Sequence, residues 1–114
     1  MNTLLIINEP PYGNERSYNA LRLAKALTAA GCEVSLFLMA DAVSCAKAGQ
    51  KVPEGFYNIE LMLKAVARKG RVLLCGTCMD ARGVADDQVI EGAQRSTMKE
   101  LAEHTMSADK VLVF

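Results

Sequence analysis

The chain has 114 residues, room for one domain rather than two. It is 51% hydrophobic but only 5% aromatic and has no tryptophan, so its core must be built from Leu, Val, Ile, Ala and Met. Thirteen Lys and Arg balance thirteen Asp and Glu, which argues against a nucleic-acid backbone binder, and no apolar run approaches the roughly 20 residues of a membrane span.

The chain opens on Met-Asn-Thr-Leu-Leu-Ile-Ile-Asn. No basic segment precedes this short apolar run, so it reads as a strand over Thr3–Asn8 rather than a signal peptide. A continuous run of this kind marks a strand buried on both faces. The following Glu-Pro-Pro-Tyr-Gly-Asn is rich in turn formers and matches neither glycine-rich phosphate-loop pattern, which disfavours nucleotide binding. Tyr12 in this stiff loop either walls a pocket or simply braces a connection. A helix is predicted over Glu15–Ala30, with Ala20, Leu23, Ala24 and Leu27 at the helical period and Gly31 as its stop.

Glu33–Met39 is the second predicted strand. Asp41 is placed to cap a short helix ending at Gly49. A Gly/Pro loop runs to Gly55. Asn58 then caps a third helix with Ile59, Met62, Leu63 and Val66 on one face, closed by Gly70. Arg71–Cys75 is a third buried strand. Gly76–Ser96 is the least regular stretch, read as short turns with one strand near Ala93–Arg95. Thr97-x-x-Glu100 is a capping-box pattern opening a last helix, with Met98, Leu101, Ala102 and Thr105 on its inner face. Val111–Phe114 is the final strand. Met39, Met62, Met98 and Met106 are expected in the core.

Strands alternating with helices give an α/β fold, a parallel sheet with helices on both faces. Ligands of such sheets bind at the carboxyl ends of the strands. That rule gathers Asn8, Tyr12, Asp41, Cys75, Cys78, Asp80 and Arg82 at one end of the sheet.

Cys75-Gly-Thr-Cys78 carries the chemistry. Sulfur chemistry needs a thiolate, which free amides and a nearby cation favour. Gly76 and Thr77 permit a tight turn whose amides point at sulfur. Arg82 supplies positive charge, and Asp80 opposes it unless the two pair. Four readings stand open: a persulfide carrier, a dithiol/disulfide pair, half of a metal site, or a cysteine that is only a small buried hydrophobe. Cys32 and Cys45 lack such a context and are read as buried hydrophobes. Four cysteines without an export signal read as reduced thiols of a cytoplasmic protein. His104, the only histidine, is expected on the surface of the last helix, and Asp86 and Asp87 in a solvent-facing loop. No metal site and no cofactor are assigned.

Several stretches carry a family resemblance. They are Asn-Glu-Pro-Pro-Tyr-Gly-Asn-Glu-Arg after the first strand, Ala-Leu-Arg-Leu-Ala, Leu-Met-Ala-Asp-Ala-Val, Gly-Phe-Tyr-Asn, Cys75-Gly-Thr-Cys78-Met-Asp-Ala-Arg82-Gly83 and the closing Ala-Asp-Lys-Val-Leu-Val-Phe. Together they resemble the DsrE/DsrF-like family, and within it the small YchN-like group, across residues 1–114 as one domain. The resemblance implies a Rossmann-like three-layer α/β/α sandwich on a mainly parallel five-stranded sheet. It implies a homo-oligomer, a trimer or hexamer, and a cytoplasmic role in sulfur relay between donor and acceptor proteins. The family's carrier cysteine ends a strand and precedes an Arg-Gly pair, which matches Cys75 to the carrier and leaves Cys78 as an extra thiol. The expectation is a persulfide carrier or sulfurtransferase acting through Cys75 with Cys78. Asn8, Tyr12, Asp41, Thr77, Asp80 and Arg82 are its candidate binding residues. The alternatives are a non-catalytic small-molecule or protein-binding oligomer and a dithiol redox switch.

Overall fold

The computed structural model describes all 114 residues. Five strands, β1 (Asn2–Ile7), β2 (Glu33–Leu38), β3 (Arg71–Cys75), β4 (Ala93–Ser96) and β5 (Lys110–Val113), form one sheet. Its order is β4-β3-β2-β1-β5, and every neighbouring pair is parallel. Between the strands lie α1 (Arg16–Ala29), α2 (Ile59–Ala67), α3 (Gly76–Ala81) and α4 (Met98–Ser107), with 3-10 helices at Ala40–Ala46 and Asp86–Gln88.

From β1 to β4 the chain steps across the sheet in one direction, and for β5 it returns to the far side of β1. Parallel crossovers are right-handed. Hence α1, α2 and α3 lie on one face and α4 on the other, which makes the three layers. α1 packs on α2, α2 on the Ala40–Ala46 helix and that helix on α3, while α4 lies against β1. Leu4, Leu5, Leu36, Phe37, Leu38, Leu73 and Leu74 are almost fully buried, as strands covered on both faces require. Each such side chain contributes about 1.5–3 kcal/mol.

Several local expectations are corrected. The buried line of α1 is Ser17, Ala20, Leu21 and Ala24, whereas Leu23 is 36% exposed. The Ser17 hydroxyl donates to the Glu9 carbonyl at 2.7 Å and sets the rotation of the first turn. The helix after β2 is 3-10 and begins behind Met39, and Asp41 does not cap it. Asp41 instead accepts a hydrogen bond from Arg82. Gly76–Ser96 is more regular than its composition implies, because α3 starts directly at the end of β3 and buries Met79.

α2 matches expectation. The Asn58 side chain accepts from the Leu61 amide at 3.2 Å, and Ile59, Leu63 and Val66 are buried. In α4 only Leu101 is buried. Met98 and Met106, expected in the core, are 59% and 80% exposed. Ala102 and Thr105 are exposed as well. The cause is topological: α4 crosses its face of the sheet alone, and no second helix flanks it. Thr97 caps the Glu100 amide at 3.1 Å, but the Glu100 carboxylate turns to the Ser96 hydroxyl, so the capping box is half formed.

Candidate functional site

The strand order decides where a crevice opens. β3 exits into α3 on one face and β4 exits into α4 on the other. The carboxyl ends of β3 and β4, paired as Cys75 with Ser96, are therefore a topological switch point, the usual ligand position in open α/β sheets. A cavity of about 640 Å³ lies there, lined among others by Cys75, Thr77, Cys78, Asp80, Arg95 and Ser96.

Cys75 ends β3 and is the residue from which α3 departs; it is 7% exposed. Cys78 lies within the first turn of α3 and is half-buried. All four cysteines are free thiols. Burial pushes the Cys75 thiol above its ordinary range, and the neighbouring Cys78 thiol adds to the push. The amides of Thr77 and Cys78 pull the other way without prevailing. This corrects the expected activated thiolate. The amides are in place as the start of a helix rather than a tight turn, but desolvation outweighs them, so Cys75 rests as a neutral thiol near pH 7.

Arg82 does not line the cavity. Its Nε donates to Asp41 Oδ1 at 2.9 Å and its Nη1 to the Cys78 carbonyl at 3.2 Å, tying the end of α3 to the 3-10 helix after β2. Asp80 pairs with Arg95 rather than Arg82. Arg95 Nη1 donates to Asp80 Oδ1 at 3.1 Å and to the Gly76 carbonyl at 3.1 Å, and its Nε to Asp86 Oδ1 at 2.9 Å. Asp86 faces solvent as expected, its side chain 71% exposed, and is paired with Arg95 as well. Gly76 makes room for this arrangement: a Cβ there would lie 3.0 Å from Arg95 Nη1 and 3.2 Å from the Ser96 carbonyl oxygen. Arg95 is the site residue that sequence reasoning missed. The four-residue strand Ala93-Gln94-Arg95-Ser96 carries no signal that its arginine crosses to the residue after Cys75.

Asn8 and Tyr12 serve elsewhere. The Asn8 amide and its Nδ2 donate to the Phe114 carbonyl at 2.9 and 3.2 Å, fastening the chain end beside β1. The Tyr12 ring stacks on Tyr57 at 5.9 Å, and its hydroxyl donates to Gln50 and accepts from the Ile59 amide. It braces the loop against the start of α2, the second of its two readings. Cys45 is buried and its thiol is pushed up to about 11 by burial. Cys32 sits 3.2 Å from the Thr3 hydroxyl. His104 lies at the opposite, amino end of the sheet beside Asn2 and Arg71. No three His, Cys, Asp or Glu side chains are grouped to hold a metal ion.

A parallel 4-3-2-1-5 sheet with a cysteine pair at its switch point defines a small Rossmann-like α/β protein with a thiol site. The chain belongs to the DsrE/DsrF-like family, whose model matches residues 1–114. That family is associated with sulfur relay. The chain is 46% identical over 114 residues to Protein YchN of Escherichia coli strain K12, covering 97% of each chain. It is 39% identical over 114 residues to the uncharacterized protein MJ0989 of Methanocaldococcus jannaschii, covering 100% of both. The crystal structure of the Escherichia coli ychN protein matches it with a TM-score of 0.91 at 46% identity over 100% of both chains. MTH1491 of Methanobacterium thermoautotrophicum, a protein of unknown function, matches with a TM-score of 0.80 at 13% identity over 99% of this chain and 98% of that one, a likeness of fold alone. No helix is long and apolar enough to cross a membrane.

Proposed function

We propose that this protein carries sulfane sulfur on Cys75, with Cys78 as a second thiol. The observation that supports this reading most is the position of Cys75, at a strand end on the switch-point cavity with Cys78 beside it. The Cys75 proton leaves to solvent and the thiolate attacks the outer sulfur of a donor persulfide. A new S–S bond forms at Cys75, the donor's S–S bond breaks, and the donor departs as a thiolate. An acceptor thiolate removes the sulfur with the same balance. If Cys78 instead attacks the Cys75 sulfur, a Cys75–Cys78 disulfide closes and sulfide leaves; the two thiols are oxidised and the sulfane sulfur is reduced. The same proposal includes a protein donor, a protein acceptor, a cytoplasmic setting and a homo-oligomer, trimeric or hexameric. The exposed apolar surface of β5 and α4 supports the last of these.

The test is mass spectrometry after incubation with inorganic polysulfide. The Cys75 peptide should gain one sulfur atom, and Cys78→Ser should retain the gain and prolong it. Full loading of a Cys75→Ser variant would overturn the assignment. The burial of Cys75 favours a second reading, a binding protein or dithiol switch without sulfur transfer. Under that reading polysulfide leaves no persulfide on either residue. A switch would still close an intrachain Cys75–Cys78 disulfide under mild oxidant, and a binding protein would not.

A further inference from the structure

We propose that Arg95, held between Asp80 and Asp86, sets the electrostatic field at Cys75, and that the two carboxylates hold that thiol at rest. Arg95 sits on the strand beside β3, one residue before Ser96, the register partner of Cys75. It shares the cavity with both thiols. Its Nη1 donates at 3.1 Å to the carbonyl of Gly76, the residue joined to Cys75. It is therefore the cation built into this cavity, whereas Arg82 is turned away to Asp41.

Two carboxylates oppose this single cation, Asp80 from α3 at 3.1 Å and Asp86 from the neighbouring 3-10 helix at 2.9 Å. Other charged groups stand on the elements around Cys75. Glu100 of α4 accepts from the Ser96 hydroxyl and keeps its negative charge, Lys99 beside it is exposed to solvent, and Asp41 after β2 is neutralised by Arg82. The 3-10 helix after β2 and the end of β2 add no free cation, and Cys78 adds only a thiol. The Asp80–Arg95–Asp86 group thus carries a net negative charge, and through Asp80 and Arg95 it shares a cavity with a thiol whose reactive form is an anion. A negative neighbour disfavours that anion, in the same direction as burial. Neutralising the carboxylates leaves Arg95 to favour it. Basic groups on a docking partner would do this without any change in the chain.

The inference rests on Cys75 being the working thiol of the proposed function. It is read by iodoacetamide, so it stands or falls apart from persulfide loading. Reaction at Cys75 is followed by peptide mapping in a Cys78→Ser background at neutral pH and low salt. Asp80→Asn/Asp86→Asn should alkylate Cys75 about threefold or more faster than the parent. Arg95→Gln should be about threefold or more slower, with its pH–rate curve moved to higher pH. Arg95→Lys, which restores the charge without the fork, should return the rate to within about twofold of the parent. Arg68→Gln, at the C-terminal end of α2 and outside the cavity, is the control. The differences should shrink at high salt, where exposed charges are screened.

A merely structural Arg95 predicts a different pattern. Its loss would loosen α3, expose Cys75 and speed alkylation, and removing the carboxylates would do the same. Arg95→Gln equal to or faster than the parent, or Asp80→Asn/Asp86→Asn no faster, overturns the proposal. Should Arg95→Gln not fold, the salt dependence of the carboxylate variant decides alone: a rate excess over the parent that shrinks at high salt supports the proposal, and one that persists there overturns it.

Discussion

At the scale of single residues, the charges that matter are those that burial forces into partnership. Glu60 shows this away from the cysteine site. Its carboxylate is 3.0 Å from Lys64 Nζ, accepts the Gln50 amide at 2.8 Å and is held below the usual carboxylate range, chiefly by the Lys64 hydrogen bond. A depressed folded value stabilises the fold above the unfolded carboxylate range and loses that stabilisation as pH falls through the depressed value. Glu60→Gln should therefore cost about 1 kcal/mol at neutral pH, and the gap to the parent should close on acidification. Urea unfolding of both proteins across acid pH measures it; a gap that stays constant would show that the charge of Glu60 contributes nothing. Cys75 was legible as a candidate because it ends an apolar run and heads a Cys-x-x-Cys. Its electrostatic state was not. That state follows from burial and from Cys78 and, under the proposal above, from Arg95, nineteen positions beyond Gly76 in the chain, which only the pairing of β3 with β4 brings to the site.

At the scale of elements, strands announced themselves and short helices did not. Leu-Leu-Ile-Ile and Val-Leu-Leu are buried on both sides, so composition alone marks them. α3 has six residues and begins with glycine, too short for a helical period to emerge. In α1 both Leu21 and Leu23 fit a helical stripe, and the Ser17 tether that selects Leu21 is a tertiary contact. Gly70 illustrates how tightly elements meet. A Cβ there would fall 2.4 Å from the Val34 carbonyl oxygen, on the backbone of β2 just where β3 joins it. Gly70→Ala should force the two strand entrances apart and lower stability by about 1–3 kcal/mol, read as a fall in melting temperature. Gly49→Ala meets open space and suffers only from its left-handed backbone, at φ +86. It should cost about 1–2 kcal/mol. Equal stability of Gly70→Ala and the parent would show that the close approach is not there.

At the scale of the whole molecule, one end of the sheet is unfinished. β5 is an edge strand with Val111 exposed and Val113 67% exposed, and Met106, near the end of α4 that leads into it, is 80% exposed. Bare apolar edges are what subunit contacts cover. Under the proposed oligomeric state, light scattering should give the parent a mass that is a multiple of 12.3 kDa. Val113→Lys, close to neutral within an isolated chain, should reduce that mass while leaving the circular dichroism unchanged. A parent at the single-chain mass, or a variant that keeps the larger one, would rule this edge out as the contact.

The same strand order carries a consequence for how the protein comes into being. β1 sits between β2, made soon after it, and β5, made last; the bond from the Asn2 amide to the Asp109 carboxylate spans 107 positions. A nascent chain can assemble β1 to β4 while one flank of β1, the Leu-Leu-Ile-Ile run, stays open. Such a flank invites pairing between unfinished neighbours on crowded ribosomes. Residues Lys110–Phe114, docked on β1 and Asn8, thus cover the strand of this sheet that is synthesised ahead of the other four.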